Sequence, residues 1–306
     1  MKDLHIRSSQ FELPQQYDTL KALCRCLRKG INREFFVIGA TARDLLSVAM
    51  KVNTSKRTTK DLDICIAVES WDCFMEIQQK LMEVGFDKDP VRKQRFYYGD
   101  FELDVVPFGG LSDDGEKIYW PPEASPEMTV RGFESVLREC VKVVVDDGGI
   151  DFLIPTIAGL FITKLDAWID RGLNKDNDID DMMYLIDNFY LVNCTDDCYG
   201  EVFDAVEDAD IFVSGAYMIA MDVARLLTDD EKRYYKAYLD GELAKQETSS
   251  LLQKSMDFSE RQGNQVRQQK ILGKCPEMQE CKRGSENLAG QRQSHRIPNA
   301  VHHVQF

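Results

Sequence analysis

Short apolar runs broken by Gly, Pro and acidic residues dominate the first half of the chain. Longer stretches with helical spacing dominate the second. Residues 1–34 carry "YDTLKALCRCL", whose apolar positions recur at helical spacing and predict a lead-in helix. "FFVIG" (35–39) reads as a buried strand ending on glycine, and "ATARDLLSVAMKV" as a helix. "NTSKRTTK" is polar and basic, a loop, and "DLDICIAV" (61–68) is a second strand. "SWDCFMEIQQKLMEVG" predicts a helix capped by Ser70 and stopped by Gly85. The basic, aromatic "RKQRFYYGD" precedes a third strand, "FELDVVPF" (101–108). Gly, Pro and Asp mark "GGLSDDGEKIYWPPEASPEM" as a long loop, and "FESVLREC" is a short helix. "VKVVV" and "IDFLI" flank "DDGG" at Asp146–Gly149, a hairpin signal.

From Pro155 the pattern turns helical: "TIAGLFITKLDAWIDR", "DIDDMMYLIDNFY", "CYGEVFDAVED", and then one long stretch over 212–246. The expected organisation is an α/β (α+β) domain with a mixed sheet over 1–154 and an all-helical domain over 155–262. Beyond Gly263 apolar residues thin out without a period, and 263–306 reads as a disordered basic tail. That tail carries seven Lys/Arg against three Glu, a charge of +4, which leaves −18 on the first 262 residues of a chain whose net charge is −14. An acid balance of this size excludes a generally basic surface for nucleic acid and leaves room only for a local groove.

No apolar run approaches the ~18 residues of a membrane span. The start, "MKDLHIRSSQ", has no signal-peptide core. Nine cysteines without a zinc spacing read as free thiols, so a cytoplasmic protein is expected. The four histidines, His5, His295, His302 and His303, lie near the ends. A histidine-based triad or metal site in the body is thereby disfavoured, and chemistry falls to carboxylates, lysine, arginine and hydroxyls.

The carboxylates are placed for it. Residues two apart in a strand face the same side, so Asp61 and Asp63 share a face. Two like charges that close repel, and a hard cation between them turns repulsion into binding. Asp104, inside the apolar "ELDVV", needs a partner or a metal. If the strands at 61–68 and 101–108 are neighbours, three carboxylates converge, as two-metal nucleotidyl transfer requires. Alone, "DxD" is a weak signal that reads more readily as Asp61 capping the strand and Asp104 capping a turn. "GATARD" strengthens the chemical reading: Gly39 and Ala40 let backbone amides approach a phosphate at a helix N-terminus, Thr41 offers a hydroxyl and Arg43 a guanidinium, and the basic loop before Asp61 adds Arg57 as a phosphate contact. Lys164 falls among apolar neighbours, so its ammonium needs an anion, either a ligand phosphate or Asp166 or Asp170. "RKQRFYYGD" mixes Arg92, Lys93 and Arg95 with Phe96, Tyr97 and Tyr98, a pattern of a base-stacking surface or of an ordinary strand.

"FFVIGATARDLL…TTKDLDICIAV", "ELDVVPFGG" and "LFITKLDAWIDRGLNKDNDIDD", in this order, resemble the AbiEii-like nucleotidyltransferases, relatives of DNA polymerase β that include toxins of type IV toxin–antitoxin systems. The resemblance covers residues 30–190. It departs from the family where Ala40 replaces a second glycine. "GATARD" is also similar to the G-G-x-x-R-D of CCA-adding enzymes, but Lys164, Leu165, Ala167, Arg171, Lys175 and Asp176 match the AbiEii-like helix signature. The resemblance implies a polymerase-β-like domain followed by helices, and Mg²⁺ (or Mn²⁺) on Asp61, Asp63 and Asp104, with Asp104 also helping to deprotonate the acceptor. It further implies Lys164 on the triphosphate and Asp176 assisting at the edge beside Arg171 and Lys175. It implies transfer of NMP from an NTP to a hydroxyl, with RNA of the tRNA kind as leading acceptor and an antitoxin protein as partner. Two readings compete: an enzyme that AMPylates protein, and a catalytically idle nucleotide- or partner-binding module. The region 171–176 has its own plain reading, a solvated helix junction with surface ion pairs.

Overall fold

The computed structural model describes residues 3–50, 59–112, 114–171, 177–193, 202 and 211–258. The tail read over 263–306 lies outside them, as do Arg57, Lys175, Asp176 and all of "CYGEVFDAVED" except Val202. The chain divides into two compact units, Met1–Ala237 and one that begins at Tyr238.

Among the described residues the strands are β1 (Leu4–Ile6), β2 (Phe35–Ile38), β3 (Asp61–Val68), β4 (Asp87–Lys88), β5 (Arg95–Tyr98), β6 (Phe101–Gly109), β7 (Lys117–Tyr119), β8 (Glu127–Thr129), β9 (Val141–Val145) and β10 (Ile150–Ile154). Eight of them form one mixed sheet in the order β1-β9-β10-β2-β3-β6-β5-β4, and β7 pairs with β8 apart from it. The helices are α1 (Pro14–Leu23), α2 (Gly39–Met50), α3 (Trp71–Glu83), α4 (Phe133–Arg138), α5 (Ile157–Arg171), α6 (Asn177–Asn193), α7 (Ile211–Leu226) and α8 (Asp229–Ala244). The α/β class, a mixed sheet followed by helices, is the one expected.

Local chemistry accounts for most boundaries. In β3, Leu62, Ile64, Ile66 and Val68 are buried on one face, while Asp61, Asp63 and Ala67 on the other are half-buried. That alternation holds the register, because a slip of one residue would bury the aspartates among core side chains. The Ser70 hydroxyl accepts the Cys73 N–H at 3.2 Å and caps α3, and Gly85 stops the chain with φ +98°. The "DDGG" signal closes the antiparallel β9–β10 pair, with Ile150 opposite Val145. Between sheet and helices the Phe36, Phe108 and Phe133 rings meet edge-on, with centroids 5.7 to 6.3 Å apart, a geometry favoured by the ring quadrupole.

Three expectations are corrected. The lead-in is more than a helix: β1 precedes α1 and pairs in parallel with β9, and a π-helical turn, Cys24–Gly30, follows α1. The long loop contains the β7–β8 hairpin, whose buried Ile118 and Trp120 anchor it. The stretch over 212–246 is two helices, α7 and α8. They part at Thr228, whose hydroxyl and N–H both reach the Glu231 carboxylate, at 2.8 and 2.7 Å, while the Glu231 N–H turns back to the Thr228 hydroxyl. "TDDE" is thus a capping box that starts a new helix. In the second unit, the buried Ser249 hydroxyl donates to Glu242 at 2.6 Å.

Candidate active site

Two strand registers set the site. Asp63 lies opposite Asp104 on the parallel pair β3–β6, and Asp61 opposite Glu102. On the other side of β6, Arg95 lies opposite Asp104 on the antiparallel pair β5–β6. Side chains in register share a face, so Asp63, Asp104 and Arg95 make a row across three strands. The convergence of Asp61, Asp63 and Asp104 read from the sequence is therefore present.

The next strand supplies the other wall. Ile38, the last residue of β2, is the register partner of Asp63. The chain then turns at Gly39, with φ +71°, into the N-terminus of α2. A Cβ at Gly39 would stand 2.4 Å from the Asp63 Oδ2. Only glycine lets this backbone come so close to the carboxylate while holding a left-handed φ. Ala40 and Thr41 follow in the first turn, both buried, and Thr41 donates to the Asp61 carbonyl at 3.4 Å. A helix N-terminus, favourable to negative charge, thus opens beside Asp61 and Asp63.

Burial pushes the Asp63 carboxyl up to about 7, and the charges of Asp61 and Asp104 add to that, while Lys164 and Arg171 pull the other way. No cation of the described residues stands at bonding distance from Asp63. Asp61 accepts the Thr59 hydroxyl. The case of Asp104 is different. Arg95 donates from Nε to one Asp104 oxygen and from Nη2 to the other, each at 2.7 Å, and its Nη1 reaches Glu102. This is the planar fork-on-fork pairing that a guanidinium makes with a carboxylate.

Lys164, on α5, is near enough to Asp63 to draw its carboxyl down. Its Nζ lies 2.7 Å from Asp181 and 3.2 Å from Asp178, both on α6. These are the anions it requires, rather than Asp166 or Asp170. Asp166 accepts the Tyr235 hydroxyl at 2.9 and 3.0 Å, and Asp170 holds the Thr129 N–H and hydroxyl. Arg171 reaches Asp178 at 3.6 Å. Arg43 is turned inward: it is buried, pairs with Asp44 at 2.7 Å and with Asp181, and lies over the Tyr184 ring. The structure thus brings Gly39 and Thr41 to Asp63 and Asp61, sets Asp104 beside Asp63, and holds Lys164 and Arg171 near enough to act on the Asp63 charge, while Arg43 braces α2 against α6.

Sequence reasoning did not pick out Glu102, Asp178 or Asp181, and it gave Arg95 no partner. Asp178 and Asp181 stand in "NDIDD", where acidic residues at i and i+3 share a helix face and could have been matched to Lys164. The fork of Arg95 needs the β5–β6 register. Four more residues of "RKQRFYYGD" are occupied as well. Phe96 is buried, the Tyr97 hydroxyl donates to Asp89 at 2.9 Å, Tyr98 lies on Phe86, and Lys93 binds the Pro121 carbonyl at 2.8 Å.

A divalent ion fits Asp61 and Asp63, two carboxylates on one strand face, whereas each Asp104 oxygen already accepts an N–H of Arg95. Among the described residues no group of three or more His, Cys, Asp or Glu side chains is arranged to hold a metal. A cavity of about 240 Å³ opens at the far end of β6, against Gly109, Glu116, Arg131 and Glu231, and contains none of these carboxylates. No described helix is long and apolar enough to cross a membrane.

No family model matches the chain, and no curated protein matches it. Two solved structures of ANT(2'')-Ia are similar to it. A solution structure of this antibiotic-resistance factor is 13% identical, covering 73% of this chain and 95% of its own, with a TM-score of 0.33. A crystal structure in complex with adenylyl-2''-tobramycin is 14% identical, covering 73% of this chain and 99% of its own, with a TM-score of 0.31. Likeness at this level adds nothing to what the sheet and its side chains establish.

Proposed function

We propose that the chain is a metal-dependent nucleotidyltransferase that moves NMP from an NTP to an acceptor hydroxyl and releases pyrophosphate. One observation carries the reading: the Asp63 carboxylate sits against Gly39 at the N-terminus of α2, in register with Asp104. In this reading Asp61 and Asp63 hold Mg²⁺ or Mn²⁺, which would neutralise phosphate charge. The first-turn amides of α2, at Gly39 to Thr41, bind phosphate oxygens. Lys164 has three donors and two carboxylate partners, so one N–H is left to meet the triphosphate. Asp104, the register partner of Asp63, borders the metal carboxylates and is the residue to which the resemblance gives the acceptor hydroxyl.

RNA as the acceptor, a toxin role and an antitoxin partner rest on the sequence resemblance. So does the assignment of Lys175 and Asp176 to the same site, while that of Arg57 rests on the basic loop before Asp61. The test uses purified protein, Mg²⁺, each α-labelled NTP in turn and total RNA, beside Asp61→Ala/Asp63→Ala. Label on a discrete RNA band, absent from the variant, is the expected result. Label on protein replaces the acceptor with a protein hydroxyl. No label with any NTP, in a folded protein that still binds nucleotide, refutes the transferase and leaves the idle binding module.

A further inference from the structure

Four carboxylates and one guanidinium share the working face of the sheet: Asp61, Asp63, Glu102, Asp104 and Arg95. The guanidinium is spoken for twice. It holds both oxygens of Asp104 and reaches Glu102, and its side chain is only 11% exposed. The pairing is written into the backbone, because Arg95 and Asp104 are direct register partners on neighbouring strands. Such partners have Cβ atoms about 5 Å apart, so Arg95 cannot swing clear without leaving Asp104 bare beside Asp63. What remains is Asp61 and Asp63, two carboxylates without a paired cation among the described residues, which match one divalent ion.

We propose, on the transferase reading above, that the site is built for a single divalent ion held by Asp61 and Asp63, and that Arg95 is a fixed cation standing where a second ion would need the Asp104 oxygens. Arg95 is then a positioning residue. It fixes the orientation of Asp104 and neutralises charge next to the metal, and it does so through Asp104 and Glu102. This departs from the three-carboxylate, two-ion arrangement implied by the sequence. The difference lies in one basic residue whose partner is visible only across the strands.

The number of bound ions tests it directly. The full chain would be loaded with Mn²⁺ and a non-hydrolysable NTP analogue, freed of excess ion, and read by metal analysis and electron paramagnetic resonance. One Mn²⁺ per chain without Mn–Mn coupling is expected. Arg95→Met should admit a second, coupled ion, whereas Arg95→Lys keeps the charge and should hold one. Asp104→Asn, which is independent of how Arg95→Met folds, should leave the count at one. Two coupled ions in the unaltered protein, or loss of an ion in Asp104→Asn, would overturn the single-ion site while leaving the transferase reading in place. No bound Mn²⁺ in the unaltered protein would take down the transferase reading and this inference with it.

Discussion

Replacing Gly39 by alanine separates the cost to the fold from the cost to the site. The fold loses little. Gly39 holds φ +71°, and an L-residue in the left-handed region costs about 1–2 kcal/mol. The added methyl meets the Asp63 carboxylate, with Oδ2 at 2.4 Å and Cγ at 3.3 Å. That obstacle is the end of a side chain, which turns away at small cost. At about 2–4 °C per kcal/mol for a domain of this size, the melting temperature should fall by only a few degrees. The site loses much more. Asp63 must leave the position in which it faces both Asp104 and the start of α2, and a misplacement near 1 Å costs about 100-fold in rate. Thermal melting by circular dichroism and transfer from an α-labelled NTP would be measured on the same sample. A small loss of stability with a loss of transfer of about 100-fold is expected. Transfer within twofold of the unaltered protein would show that the contact between Gly39 and Asp63 has no part in the chemistry.

Other changes probe other parts. Lys164→Met leaves Asp178 and Asp181 without their shared ammonium; breaking a buried ion pair on one side costs about 3–5 kcal/mol, so urea denaturation should show a large loss, and nucleotide titration a weaker affinity. Asp166 is pushed up to about 8 by burial, against the Tyr235 hydroxyl and Arg131, which lower it. Its folded form therefore keeps a proton that the unfolded chain loses near pH 4, and the stability it contributes is complete below that pH and is lost as pH rises toward 8. Asp166→Asn, which mimics the neutral acid, should gain stability relative to the unaltered protein between pH 5 and pH 8; a constant difference across that range would contradict the assignment. Thr228→Ala removes the cap of α8 and should cost about 1 kcal/mol in a urea midpoint without changing transfer.

Much of the scaffold was legible because it is local. The bounds of β3, β9 and β10 coincide with runs whose apolar residues alternate or are β-branched. Ser70 and Gly85 announce α3 through side-chain and backbone preferences that need no distant partner. The missed pieces depend on distant partners. β1 is three residues long and exists through its pairing with Val143 to Val145. The β7–β8 hairpin is hidden among glycines and prolines, and it owes its place to Ile118 and Trp120 in the core. The division of α7 from α8 is written in "TDDE", but the apolar period runs on across it. At the site, the D-x-D spacing put Asp61 and Asp63 on one face, and the apolar setting of Lys164 correctly demanded an anion. Which anion it found depended on how α5 packs on α6. That Arg95 takes both oxygens of Asp104 depended on the β5–β6 register, which no spacing along the chain contains.

In the proposed reaction Asp61 and Asp63 hold a metal for nucleotidyl transfer. The most direct measurement is pyrophosphate release from each NTP in the presence of Mg²⁺ and RNA, compared between the unaltered chain and Asp63→Asn. Pyrophosphate formed in step with labelled acceptor, and abolished in a folded Asp63→Asn protein, is the predicted result. Undiminished release from Asp63→Asn, or none from the unaltered chain while it binds nucleotide, would contradict it.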